Sequence, residues 1–125
     1  GEAVNLMREL RRAIRTDGAI RIVCPDVELL SKKYLDGSLS DYDECNDGCA
    51  GFHTQSGKLW AMVHEGHQFG YDWLTLKQLL EETGWQPFRS SFRKTEVQAI
   101  EQILKETTEM GFDLSLFCDA VPKLA

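Results

Sequence analysis

The stretch that decides the fold is residues 113–121, which read Asp113-Leu114-Ser115-Leu116-Phe117-Cys118-Asp119-Ala120-Val121. Successive side chains of a β-strand point to opposite faces of the sheet, so a strand with one buried face alternates apolar and polar residues. Here both alternating sets carry apolar residues: Leu114, Leu116, Cys118 and Ala120 in one set, Phe117 and Val121 in the other. The segment is therefore predicted to be a strand that is buried on both faces.

Two further segments are predicted to be strands. Residues 19–24 form a run rich in β-branched side chains that ends at Pro25, and residues 86–92 alternate, with Phe88 and Phe92 on one side. Because Pro87 has no N–H to donate, this last strand is expected at a sheet edge, or to begin outside the pairing.

Apolar residues recur at helical spacing in residues 3–16, 27–35 and 73–83, and again after Thr95. Thr95 with Gln98 three residues later fits a capping box, and Gly18 is expected to end the first helix. Helices and strands in this order indicate an α/β fold of about three strands with flanking helices. We expect one domain over residues 1–125, with a loop-rich insertion at 37–57.

Composition limits the classes of function. Hydrophobic residues make up 42% of the 125 residues and charged residues 27%, and the net charge is -6. That balance argues against general nucleic-acid binding, which depends on neutralising phosphates. The longest apolar run, residues 59–63, is too short to cross a membrane. Four cysteines in mixed settings do not indicate a disulfide scaffold, so a cytoplasmic location is expected.

A polar stretch holds residues with the chemistry of zinc ligands, namely Cys45, Cys49, His53, His64 and His67. Three residues separate the two cysteines, whereas common zinc fingers place two between them. We therefore expect no metal, and the alternative is a small zinc-stabilised interaction domain. The tryptophans Trp60, Trp73 and Trp85 are expected in the core.

Three segments, taken in order, resemble class I S-adenosylmethionine-dependent methyltransferases. Residues 16–26 (TDGAIRIVCPD) follow a helix and resemble the fifth-strand region of that family. Residues 67–72 (HQFGYD), with the leucine helix and Thr83-Gly84-Trp85 after them, resemble the segment that leads to the next strand. Residues 115–121 (SLFCDAV) resemble the final family strand, a hydrophobic run with an acidic residue near its end.

The resemblance implies a partial Rossmann-like methyltransferase fold. Strand 19–24 would lie next to strand 113–121, which would insert antiparallel beside strand 86–92. The family holds its cofactor on a Gly-rich turn after the first strand, since glycines let the backbone approach the ligand. No such turn is present, so the resemblance covers the acceptor-side half, and this chain alone is expected to bind no S-adenosylmethionine.

The resemblance also assigns candidate site residues. His67 and Tyr71 belong to the segment that faces the acceptor pocket, and Asp26 follows the fifth strand at the end where α/β sheets bind ligands. His67 is the candidate catalytic residue, a general base for an acceptor hydroxyl or amine. Asp26, His67 and Tyr71 are the candidate substrate-binding residues. The alternatives are helix capping for Asp26 and turn packing for His67 and Tyr71.

Strand 19–24 would normally meet a fourth strand on its other side, and this chain lacks one. An apolar strand with an open edge invites pairing with another chain. We therefore expect a second copy or a separate N-terminal half to cover this edge, and a small-molecule acceptor as ligand. The isolated chain would be non-catalytic, a binding or assembly module. Alternatively, it is a methyltransferase that is active only once the missing half is bound.

Overall fold

A computed structural model describes residues 1–41, 52–64, 69–107 and 114–124 of the chain. The protein divides into two compact units: unit 1 comprises Gly1–Cys24 and Trp73–Ala125, and unit 2 comprises Pro25–Asp72. Within the described ranges, no helix is long and apolar enough to cross a membrane.

Unit 1 is a small sheet with helices, which confirms the α/β prediction at this level. Its helices are α1 (Glu2–Ala13), α4 (Trp73–Glu82) and α5 (Gln98–Glu106). Its strands are β1 (Ile20–Pro25, whose last residue begins unit 2), β2 (Trp85–Ser90) and β3 (Ser115–Pro122).

The strands form a three-stranded antiparallel sheet in the order β1-β3-β2, so the last strand of the chain lies in the middle. The register of β2 against β3 runs from Trp85 opposite Pro122 to Ser90 opposite Phe117. Nearly all of β3 is buried, on both faces, as its sequence predicts. Pro87 lies on β2, an edge strand, where a missing N–H removes no essential pairing.

Trp85 anchors the core at the start of β2. Its ring is fully buried, and its indole N–H donates to the carbonyl of Met7, the one buried residue of α1, at 3.0 Å. Arg11 adds a second link, because its Nε donates to the carbonyl of Gly84 at 2.8 Å. Gly84 has a φ of 94°, a left-handed conformation that glycine adopts without strain and that turns the chain from α4 into β2.

Several boundaries differ from the sequence predictions. The first helix ends at Ala13 rather than near Gly18, since Ile14 is already extended. The capping box is wrong: α5 is capped by Val97 with no side-chain hydrogen bond, and the Thr95 hydroxyl accepts from the Val97 N–H instead. Strand β2 ends at Ser90 rather than residue 92, because the chain turns back.

That turn spans residues 91–94. Ser91 and Lys94 form an isolated antiparallel bridge, and the N–H of Lys94 donates to the carbonyl of Ser91 at 3.0 Å. Arg93 has a φ of 56°, the one positive φ of a non-glycine residue in the described ranges. A single left-handed residue in a tight turn reverses the strand, which periodicity alone does not reveal.

Unit 2 holds the stretch predicted as a loop-rich insertion. Its elements are α2 (Val27–Asp36), a 3-10 helix at Leu39–Asp41 and α3 (Gln55–His64). The first residues of α3 therefore fall inside the predicted loop of 37–57. Leu30 and Leu39 are fully buried, whereas Trp60, expected in the core, is 62% exposed. One face of the short α3 is apolar enough to bury Ala61 and Met62, and Trp60 points away from it.

Candidate functional site

Asp26 follows β1 directly and is the N-cap of α2. Its Oδ1 accepts from the backbone N–H groups of Glu28 (3.1 Å) and Leu29 (3.3 Å), and the residue is nearly buried. A carboxylate at this position satisfies helix N–H groups that have no partner within the helix, and it interacts favourably with the helix dipole. The capping alternative considered for Asp26 is thus confirmed as its structural role.

The backbone brings Asp26 and Tyr71 together. The two residues form an isolated parallel β-bridge, and the N–H of Val27 donates to the carbonyl of Tyr71 at 2.9 Å. Two of the three candidate substrate-binding residues, 45 positions apart in the sequence, therefore meet at the carboxyl end of β1. The half-buried Tyr71 ring contacts Phe69 edge to face, with ring centroids 5.0 Å apart.

Gly70 lets these two segments approach. A Cβ added at Gly70 would lie 2.5 Å from Cγ2 of Val27, closer than non-bonded carbon atoms come. Only a glycine fits without displacing Val27 in the first turn of α2. Sequence reasoning did not single out this requirement, although the Phe-Gly-Tyr triplet lies within the segment that carries the resemblance.

The other candidates fall largely outside the described residues. His67, the candidate general base, lies there, and so do Cys45 and Cys49. His64 is the last residue of α3, and His53 is an exposed residue before that helix. Among the residues that the structure describes, no group of three His, Cys, Asp or Glu side chains is placed to hold a metal ion.

Sequence reasoning missed a buried charged network in unit 1. The Arg21 side chain on β1 is 9% exposed and that of Asp119 on β3 is fully buried, and Nη1 of Arg21 lies 3.0 Å from both carboxylate oxygens. The same Nη1 also lies 3.0 Å from Ser90 Oγ on β2, and Nη2 donates to the carbonyl of Ser91. One guanidinium therefore connects all three strands.

Two further groups complete this network. The hydroxyl of Thr95 donates to Oδ2 of Asp119, and the guanidinium of Arg21 lies 5.4 Å from the centroid of the Phe117 ring, within cation–π distance. The sequence signal for this network is a charged residue within each of two apolar strands: Arg21 within 20–24 and Asp119 within 114–121. Opposite charges at such positions predict a buried ion pair, because burying an unpaired charge costs too much free energy.

Two clefts among the described residues of unit 1 contain no candidate site residue. The larger, about 710 Å³, is lined by residues 16–18, by Glu81, by the start of β2 and by the end of β3. It therefore lies at the end of the sheet where β1 and β2 begin. The smaller, about 330 Å³, is lined by residues 89–91 and 94–96 beside the Arg21 network.

Comparison with known proteins gives no match: no family model, no curated protein and no solved structure is detectably similar to this chain.

Proposed function

We propose that this chain is the acceptor-side half of a class I S-adenosylmethionine-dependent methyltransferase fold, and that it acts as a binding or assembly module until a partner completes the domain. The observation that carries the proposal is the sheet order β1-β3-β2, with β3 antiparallel to β2. The resemblance implies this order. In this order the last strand lies between two earlier strands, an arrangement that a sequential meander of strands would not produce.

The bridge between Asp26 and Tyr71 supports the assignment of the acceptor site. In α/β sheets, ligands bind outside the carboxyl ends of strands, and both residues lie where β1 ends. His67 precedes Tyr71 by four residues in the sequence, and histidine is a common general base, suited to take a proton from an acceptor hydroxyl or amine. The ligand proposed here is a small molecule.

The residues present do not fit the cofactor. No two glycines in the 125 residues are separated by a single position, so there is no Gly-x-Gly turn to bring the backbone close to a nucleoside. The residues after β1 and β2 are Asp26, which caps a helix, and the turn at 91–94. We therefore derive no methyl-transfer step from this chain alone.

The open side of β1 is the proposed partner surface. In the part of the chain that the structure describes, β1 pairs with β3 alone, and none of its six residues is buried. Val23, at its centre, is 37% exposed, and the proline of β1, Pro25, is its last residue, so the rest of the strand keeps its backbone N–H groups. We propose that a separate N-terminal half or a second copy of the chain adds a strand here. A cytoplasmic setting remains a prediction from the pattern of cysteines in the sequence.

Two measurements test this proposal. Calorimetry of the chain alone should show no S-adenosylmethionine binding tighter than about 100 μM, an affinity of about 5.5 kcal/mol. Tighter binding would reject the non-catalytic assignment.

Light scattering tests self-pairing. If a second copy covers β1, the wild-type chain is a dimer, Val23→Lys is a monomer, and the control Leu74→Lys, at an exposed apolar position on α4, stays a dimer. A wild-type chain that stays monomeric at high micromolar concentration would eliminate self-pairing and leave the separate half. No described residue favours the zinc-stabilised alternative, and zinc analysis of untagged protein decides it.

A further inference from the structure

Phe69 and Tyr71 present two aromatic rings on the same side of one short segment. Tyr71 is held in the bridge to Asp26, and the ring of Phe69, two residues earlier in the chain, packs against the Tyr71 ring. The rings meet edge to face, at 5.0 Å between centroids and 63° between planes, a geometry that aromatic pairs prefer. Gly70 between them adds no side chain on the opposite side, where the backbone approaches Val27.

Two contacts join this segment to α2. The N–H of Val27 donates to the carbonyl of Tyr71 at 2.9 Å, and the backbone at Gly70 closely approaches the Val27 side chain. A rigid, preorganised surface loses little conformational entropy on binding, which favours its use as a ligand platform.

Phe69 is 61% exposed, although its ring contacts that of Tyr71. Single exposed apolar side chains are common on protein surfaces and need no explanation by themselves. Here, however, the exposed ring is paired with a second ring, and Phe69 lies two residues from the bridge at the carboxyl end of β1. The edge-to-face contact leaves part of the exposed Phe69 ring available to a third group.

We propose that Phe69 and Tyr71 form an aromatic platform that packs against a planar aromatic ring of the acceptor. This inference rests on the proposed function, which places the acceptor at the end of β1. An aromatic ligand matches the surface because a planar ring can stack on, or meet edge-on, the exposed part of Phe69. The acceptor is accordingly a small molecule that carries an aromatic ring.

The probe is 4-fluorophenol, observed by ¹⁹F NMR as the full chain is added. We expect line broadening with the wild-type chain, and a dissociation constant raised about two- to tenfold in Phe69→Ala. Phe69→Leu keeps an apolar side chain but removes the ring, and we expect similar weakening. Equal thermal midpoints by circular dichroism establish that the variants are folded.

Phe92→Ala is the matched control. Phe92 is also an exposed phenylalanine in an edge-to-face pair, 6.0 Å from Phe117 between ring centroids, but it lies in the turn after β2. Its replacement should leave probe binding unchanged. Equal weakening in Phe92→Ala and Phe69→Ala, or tighter binding of methyl glucoside than of 4-fluorophenol, would overturn the platform.

The experiment uses neither cofactor nor partner, so its outcome is independent of the methyltransferase assignment. If the probe binds at Phe69 but no partner completes the domain, the aromatic platform is supported and the methyltransferase assignment is rejected. If a completed domain transfers methyl groups but probe binding does not depend on Phe69, the assignment is supported and the platform is rejected.

Discussion

Replacing Arg21 with methionine removes the guanidinium from the buried network while keeping most of the side-chain length. The Asp119 carboxylate, fully buried, then loses its cationic partner and keeps the Thr95 hydroxyl as a donor. Ser90 and the carbonyl of Ser91 lose hydrogen bonds as well. Breaking a buried pair by deleting one partner typically costs about 3–5 kcal/mol, because the remaining charge is uncompensated.

A double variant separates this cost from general damage. In Arg21→Met/Asp119→Leu both charges of this buried pair are gone, and replacing both members of a buried ion pair with apolar residues is often neutral or stabilising. The hydroxyl of Thr95 loses its acceptor, which costs about 1–3 kcal/mol. We therefore expect the double variant to be more stable than Arg21→Met by about 1–3 kcal/mol.

The assay is urea unfolding followed by circular dichroism, with Arg12→Met as the control. Arg12 forms an ion pair with Glu9 at 2.8 Å, but both side chains are largely exposed, so its loss should cost less than about 1 kcal/mol. If Arg21→Met costs no more than Arg12→Met, or if the double variant is less stable than Arg21→Met, the reasoning about the network is refuted.

Three further changes test other contacts. Gly70→Ala should lower the free energy of unfolding by about 1–3 kcal/mol because its Cβ meets Val27, and Val27→Ala in the same chain should recover part of the loss in urea melts. Trp85→Phe should cost about 1–3 kcal/mol in the same assay by leaving the carbonyl of Met7 without its donor; an unchanged midpoint would contradict this. Burial raises the pKa of the Cys118 thiol from 9.0 to about 12, so its contribution to stability is complete below pH 9 and lost as the pH rises towards 12. Wild type should therefore lose more stability than Cys118→Ala between pH 9 and 11, and equal losses would contradict the shift.

The sheet was predictable from the sequence because its signals are local. Apolar residues in both alternating sets predict the buried β3, and the missing N–H of Pro87 places β2 at an edge, as observed. The ends of the elements were less predictable. Asp17-Gly18 has the composition of a helix end, yet α1 ends at Ala13 and Gly18 packs against Ile14. Tertiary contacts decide such boundaries, and periodicity does not record them.

The candidate site was predictable only in part. The pairing of Asp26 with Tyr71 depends on the backbone of two segments far apart in sequence, and the bridge between them is visible only in three dimensions. The exposure of Trp60 was likewise not predictable, because large aromatic side chains are usually buried and α3 has a second set of residues that fills its buried face.

The Arg21 network also determines what the open edge of β1 can do. A strand with one described neighbour and no buried residue gains little from hydrophobic packing, so it needs another anchor to stay ordered. The guanidinium supplies this anchor by binding β1 to Asp119 and Ser90 on the other two strands. The partner that we propose for β1 would then meet a strand already in place and would not have to order it. If such a partner binds, Arg21→Met should weaken its binding at β1 even though Arg21 itself lies within the sheet, and a variant that loses stability but keeps full partner affinity would separate the two roles.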